Sequence, residues 1–207
     1  MNAALGSGGV LLGLVSCIAG VVTVAVGLRG DRVALIRTGK TYAFLALGGA
    51  VLATVAMQRG LITRDFSMQY VADNGSSRTP ALFNVATMWS ALEGSILLWA
   101  LVLALIAHRF RDRLDDKLAG WALLTMLATG VFFFALMVGP ANPFRSVSVP
   151  IGYDGPGPNP LLQNHPLVAF HPPMLYLGYV GFTVPFAFAI GALVTGRVGE
   201  GLSLIHI

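Results

Sequence analysis

Read for polarity alone, the chain is a series of long apolar runs separated by short polar ones. The runs extend from about Val10 to Leu28, Thr41 to Met57, Val85 to Ala107, Leu118 to Val138 and Pro172 to Thr195. Each is close to or beyond the ~17–25 residues that a helix needs to cross a bilayer. In hydrocarbon every backbone polar group must be satisfied within the protein, so runs of this length predict helices rather than isolated strands. The expectation is an all-α integral membrane protein with about five transmembrane helices. Gly13, Gly20 and Gly27 in the first run predict close approach of neighbouring helix backbones.

The polar intervals differ in character. Between Gln58 and Phe83, the apolar residues Phe66, Met68 and Tyr70 alternate with polar ones. A period of two predicts a short extended segment lying on the bilayer surface, ended by the turn cluster Asp73-Asn-Gly-Ser-Ser77. Nine of the eleven prolines fall between Pro140 and Pro173, together with Gly152, Gly155 and Gly157. That interval predicts a long non-helical connection, which is either functional or disordered. Prolines are tolerated at the first positions of a helix, so Pro172-Pro173 are expected to begin the fifth span and to leave His171 just outside it. Pro185 has no N–H for the carbonyl of Gly181, which predicts a kink there.

Charge sets the orientation. Arg29, Arg32, Arg37 and Lys40 follow the first run, Arg109, Arg111, Arg113 and Lys117 the third, and Arg197 the fifth. The loops after the second and fourth runs hold only Arg59, Arg64, Arg78 and Arg145. By the positive-inside rule the N-terminus and the Pro140–Pro173 loop face outside. The formal charge of +4 therefore reports topology and not a nucleic-acid surface. Only 11% of residues are charged against about 25% in soluble domains, which excludes an ordinary soluble fold. The single cysteine, Cys17, lies inside the first run, where it forms no intrachain disulfide and reads as a packing residue. There is no C-x-x-C-H, so the chain is not itself a c-type cytochrome. The first run is too long for a signal-peptide core and lacks a basic flank, which predicts a retained span. No internal repeat of the kind that builds many transporters is visible.

Few residues offer chemistry. His171 is placed at the outer mouth of the fifth span, where a neutral imidazole can donate a lone pair to haem iron; the alternative is a histidine that caps backbone donors at the helix start. Glu93 is expected about two turns into the third span. A carboxyl group there costs about 2.5–3.5 kcal/mol on insertion scales, so it is expected to face the bundle interior and bond a neighbouring helix. Trp89, Trp99, Tyr176 and Tyr179 either wall a cofactor pocket or belong to the interfacial aromatic belt, with packing favoured for Trp99. His108 lies beside the inner basic loop and His206 in the tail; neither is assigned a ligand role.

Asn159-Pro-Leu-Leu-Gln163 followed by His171-Pro-Pro-Met-Leu-Tyr176-Leu-Gly-Tyr179-Val-Gly181 resembles a hallmark block of the CcmF-type haem-handling proteins of cytochrome c biogenesis. Trp89-Ser-Ala-Leu-Glu93-Gly-Ser-Ile-Leu-Leu-Trp99, Asp65-Phe, Tyr70-Val-Ala72 and Ala141-Asn-Pro-Phe144 are similar to further blocks of the same family. The resemblance implies that His171 is an outward-facing axial ligand to haem, with His165 a neighbour that tunes the site or a solvated loop residue. It also implies a haem lyase complex in the bacterial plasma membrane, with a CcmE-type haem chaperone, a CcmH-type thiol-handling subunit and apocytochrome c as partners. Members are longer and continue into a tryptophan-rich element that holds haem. Residues 1–200 are therefore expected to be the N-terminal part of one polytopic membrane domain, inactive alone, and residues 201–207 a tail unlike the family. Three alternatives stay open: a fragment of a CcsA-type cytochrome c synthase, a fragment of a polytopic solute transporter, and a structural subunit with no cofactor.

Overall fold

The computed structural model describes residues 1–109, 116–163 and 165–197. The inner-loop arginines Arg111 and Arg113, the 201–207 tail and His206 lie outside the described residues. Among the described residues there are eight α-helices: α1 (Asn2–Arg29), α2 (Val33–Thr63), α3 (Gln69–Asn74), α4 (Ala81–Ala86), α5 (Leu92–Arg109), α6 (Lys117–Val138), α7 (Leu167–Gly181) and α8 (Thr183–Thr195). Five spans are long and apolar enough to cross a membrane, namely α1, α2, α5, α6 and the α7–α8 pair. The protein is all-α, as the apolar runs predict.

Small residues draw the bundle together. A Cβ added to Gly49 in α2 would lie 2.5 Å from the carbonyl oxygen of Gly9 in α1, and one added to Gly9 would lie 2.6 Å from that of Gly49. The two backbones therefore touch, and only glycine fits at that crossing. Gly13 leaves the space into which the fully buried Phe134 of α6 inserts its ring. Cys17 is a free, buried thiol against Gly130. The α7–α8 pair lies at the margin: 22% of its apolar window is buried, against 39–44% for the other spans. It is anchored through Val180, Ala187 and Ala192, which are buried, and through Gly191, which sits against the carbonyl of Leu118.

At one end of the bundle Asp116 caps α6 by accepting from the amide of Leu118 at 3.3 Å, and accepts from Arg197 at 2.6 and 2.7 Å. Lys117 pairs with Asp31 at the same end. The opposite end carries a folded cap. Asn2 donates to Asp65 at 2.9 Å and accepts from Arg59 at 3.2 Å, which ties the start of α1 to the end of α2.

The cap corrects three expectations. Around Phe66, Met68 and Tyr70 the extended geometry is limited to one antiparallel bridge between Met68 and Ser146, after which the chain turns into α3. Met68 and Tyr70 are buried and do not lie on the protein surface: Met68 is bridged to Ser146 of the proline-rich segment, and the Tyr70 hydroxyl bonds the carbonyls of Thr87 and Met88. The third span does not begin at Val85: α4 and a 3₁₀ turn at Thr87–Trp89 precede α5, which starts at Leu92. Finally, Pro172 and Pro173 do not begin the fifth span. α7 starts at Leu167 and holds both prolines inside it, so His171 is on the helix and not before it. The interruption expected near Gly181 is present, with α7 and α8 meeting at Phe182.

The proline-rich segment is anchored. Gln69 donates to the carbonyl of Arg145 at 2.8 Å, Val147 to that of Ser67 at 2.9 Å, and the Tyr153 hydroxyl to that of Ala72 at 3.0 Å. Asp154 accepts from the hydroxyl and the amide of Ser77, both at 2.7 Å, and from Ser76 at 3.3 Å. The Ser77 hydroxyl, then its amide, hold the Asp154 carboxyl below the usual carboxylate range. A lowered folded pKa contributes stability that is present above the unfolded pKa and is lost as pH falls through the folded one. The loop is therefore expected to stay docked through mildly acidic pH and to loosen only below the ordinary carboxylate range. Amide exchange of residues 150–157 measured against pH checks this, and Asp154→Asn should remove the pH dependence.

Candidate functional site

α7 presents the histidine named by the sequence. His171 is exposed in its second turn and makes no hydrogen bond among the described residues. Residues three and four apart share a helix face, so Leu167, Met174 and Leu175 flank it. All three are exposed, at 60%, 64% and 44%, as is Phe170 beside them at 61%. A free imidazole nitrogen among accessible apolar side chains is a donor set that fits a flat apolar macrocycle with one open axial position. Among the described residues no cluster of three or more His, Cys, Asp or Glu side chains is arranged to hold a bare metal ion. Any iron at His171 would therefore bring its other ligands with it.

The remaining candidates lie around this helix in different roles. The Nδ1 of His165 accepts from the amide of Leu167 at 3.2 Å, so this residue caps α7. The capping role open to His171 at a helix start falls instead to the neighbour six residues earlier. The indole N–H of Trp89 donates to the carbonyl of Val168 in α7 at 3.1 Å. The hydroxyl of Tyr176 lies 3.2 Å from that of Ser95 in α5, and its ring meets Trp99 edge-on with centroids 5.5 Å apart. Trp89 thus ties α7 to the turn before α5, and Tyr176 ties it to α5 itself. Tyr179 is exposed, at 67%.

Glu93 lies at the second position of α5, in its first turn and not two turns into a span. The helix starts later than the apolar run suggests, because the chain ahead of it is the α4 corner and not a continuous helix. No hydrogen bond joins it to a neighbouring helix among the described residues. It lines an open polar cleft with Asp73, Asn74, Asn142 and Arg145. A carboxylate in the first turn is favoured by the helix dipole, so its position needs no buried partner. At the other end of α5, His108 packs against Phe44 with the rings tilted and their centroids 5.7 Å apart, away from the cap.

The fold and this site define a polytopic helical membrane protein with a folded extramembrane cap and one accessible histidine on its marginal helix. The family described as "Cytochrome C assembly protein" matches residues 89–199, from the clasp tryptophan through the whole of α7 and α8. The chain belongs to that family. It is 36% identical over 175 residues to the cytochrome c-type biogenesis protein CcmF of Escherichia coli K12, covering 82% of this chain and 26% of that protein. It is 41% identical to CcmF of Pseudomonas aeruginosa, again over 82% of this chain and 26% of the relative. With the biogenesis protein ccl1 of Rhodobacter capsulatus it shares 40% identity over 76% of this chain and 24% of that one. A solved structure described as cytochrome c haem lyase CcmF superposes with a TM-score of 0.84 at 32% identity, covering 97% of this chain and 32% of that chain. The chain therefore spans about a quarter of the length of these curated relatives.

Proposed function

We propose that this chain forms the haem-receiving part of a haem lyase of cytochrome c maturation, with His171 as the axial ligand. The observation that carries the reading is the exposed, unbonded imidazole of His171, set in an apolar surround on a helix clasped at two points. Haem is the substrate here, and its vinyl groups are joined to the two thiols of a C-x-x-C-H segment in apocytochrome c. This chain's residues bind and orient: the imidazole holds the iron, Leu167, Phe170 and Met174 meet the ring, and the clasp fixes the helix. The attachment step belongs to a protein of the relatives' full length, working with a haem chaperone of the CcmE type and a thiol-handling subunit of the CcmH type. The proposed setting is the bacterial plasma membrane, with the cap and His171 on the outer side.

The test is spectroscopic. The purified chain in lipid nanodiscs, titrated with haemin, should develop the Soret shift of imidazole-ligated iron. His171→Gly should abolish that shift, and added imidazole should restore it. A His171→Gly spectrum indistinguishable from that of the unsubstituted chain, or no haemin binding by either, would overturn the assignment.

A further inference from the structure

α7 contains two adjacent prolines, and neither has an N–H to donate. In an α-helix the amide of residue 172 bonds the carbonyl of Val168, and that of residue 173 the carbonyl of Ala169. A proline pair this deep ordinarily costs ~3 kcal/mol or more and ends or bends the helix. Here the helix runs on to Gly181. Proline is tolerated inside a membrane helix where a neighbouring group satisfies the freed carbonyl. The indole N–H of Trp89, 3.1 Å from the Val168 oxygen, is such a group.

We propose that Trp89 is the positioning residue for His171: its indole replaces the amide that Pro172 lacks and so fixes the first two turns of α7 against the corner before α5. The inference rests on the reading of His171 as the iron ligand, and goes beyond it by naming what holds that ligand in place. The proline makes the arrangement selective. Its ring pushes the carbonyl four residues back away from the helix axis, toward an outside donor. A helix with an ordinary residue at 172 would use that carbonyl internally and leave the indole without an acceptor.

Trp89 is itself held from both sides. It ends the 3₁₀ turn Thr87–Trp89, and the buried hydroxyl of Tyr70 donates to Thr87 and Met88 carbonyls in that turn at 2.8 and 3.0 Å. Its own carbonyl accepts from Ser95 at 3.1 Å, and the Ser95 hydroxyl lies 3.2 Å from that of Tyr176. One corner therefore grips α7 at Val168 and again at Tyr176, three residues before and five after His171. A ligand has to be held to within roughly 0.5 Å of its working position, and groups that grip the element carrying it are the usual means. Among the described residues no hydrogen bond or ring contact joins the indole to the imidazole, so it acts through the helix.

A substitution cycle tests the replacement directly. Trp89→Phe keeps the ring and deletes the N–H, leaving the Val168 carbonyl without a donor. Pro172→Ala restores a backbone N–H to that carbonyl. Amide exchange between residues 168 and 175 is followed in the full chain in nanodiscs, and haemin affinity in parallel. Trp89→Phe alone should accelerate exchange there on the order of tenfold, the loss expected for one half-buried carbonyl left without its donor, and should weaken haemin binding. Pro172→Ala alone should leave exchange near the unsubstituted value but weaken haemin binding, because the Val168 carbonyl is then used within the helix and the indole loses its hold on α7. The double variant should recover exchange but not haemin affinity, since nothing then ties that carbonyl to the corner. Unchanged exchange in Trp89→Phe, a double variant that exchanges as fast as the single one, or a double variant with unimpaired haemin affinity, would overturn the proposal. If His171→Ala leaves haemin binding intact while the exchange cycle behaves as expected, only the ligand reading fails, since exchange does not pass through haem.

Discussion

Replacing Gly94 by alanine is expected to prevent accumulation of the folded protein. Gly94 is the third residue of α5, set directly against the corner that turns the chain out of α4. A Cβ there would fall onto the carbonyl of Met88 and lie 2.5 Å from the Tyr70 hydroxyl. Both obstacles are fixed, because that hydroxyl donates to the carbonyls of Thr87 and Met88. Relief would require breaking these bonds or moving α5, which carries Leu97, Ala100 and Leu103 into the core. Overpacking typically costs ~1–3 kcal/mol and occasionally more, and collision with backbone puts this case at the upper end or above. The same displacement would move Trp89 and release α7. Gly48→Ala is the control: an added Cβ there meets nothing within 4 Å, in the interior of α2. Alanine at that position should be neutral or stabilising by up to about 1 kcal/mol. Thermal melting in detergent, followed by the monodisperse fraction on gel filtration, distinguishes the two. A Gly94→Ala protein that melts with the parent would show that the corner is slack.

Cysteine at position 148 is expected to react with a membrane-impermeant maleimide in intact cells, with labelling at least tenfold above that of the unsubstituted chain. Ser148 is exposed beside the bridge between Met68 and Ser146, on the cap formed by the segments after α2 and α6. The structure gathers both segments, and the start of α7, at one end of the bundle. It gathers Asp31, Asp116, Lys117 and Arg197 at the other. Nothing in the packing says which end faces outward; the Lys/Arg excess near the second end does. The native thiol does not confuse the assay, since Cys17 is buried in α1. Labelling only after permeabilisation would invert the topology. It would also turn His171 away from an outer haem donor, so the experiment bears on the proposed function as well as on the fold.

Five membrane spans could be read directly, because the cost of leaving backbone groups unsatisfied in lipid forces every long apolar run into a helix whatever surrounds it. The small residues of the first span announced close packing for a similar reason: a missing side chain has the same effect in any partner. His171 was conspicuous as a nitrogen base beside a proline pair in a run that resembles a known family. These are local properties, and they survived folding.

What tertiary structure alone decided is who satisfies whom. The proline pair looked like a helix start because, within its own segment, the Val168 carbonyl has no donor. The donor comes from Trp89, 79 residues away, so the helix extends back to Leu167 and takes His171 with it. The signal was present in part, since a proline inside a helix names the carbonyl that must look elsewhere, but not which indole or hydroxyl answers. Glu93 was misplaced for the matching reason: an apolar run from Val85 does not disclose that Tyr70 pins a corner inside it. The alternation of Phe66, Met68 and Tyr70 was read as a surface strand because it takes the proline-rich segment, anchored through Arg145, Val147 and Asp154, to bury it. Periodicity and transfer cost act on a segment by itself, whereas a freed carbonyl or a half-covered turn is completed by whichever distant group the fold brings within about 3 Å.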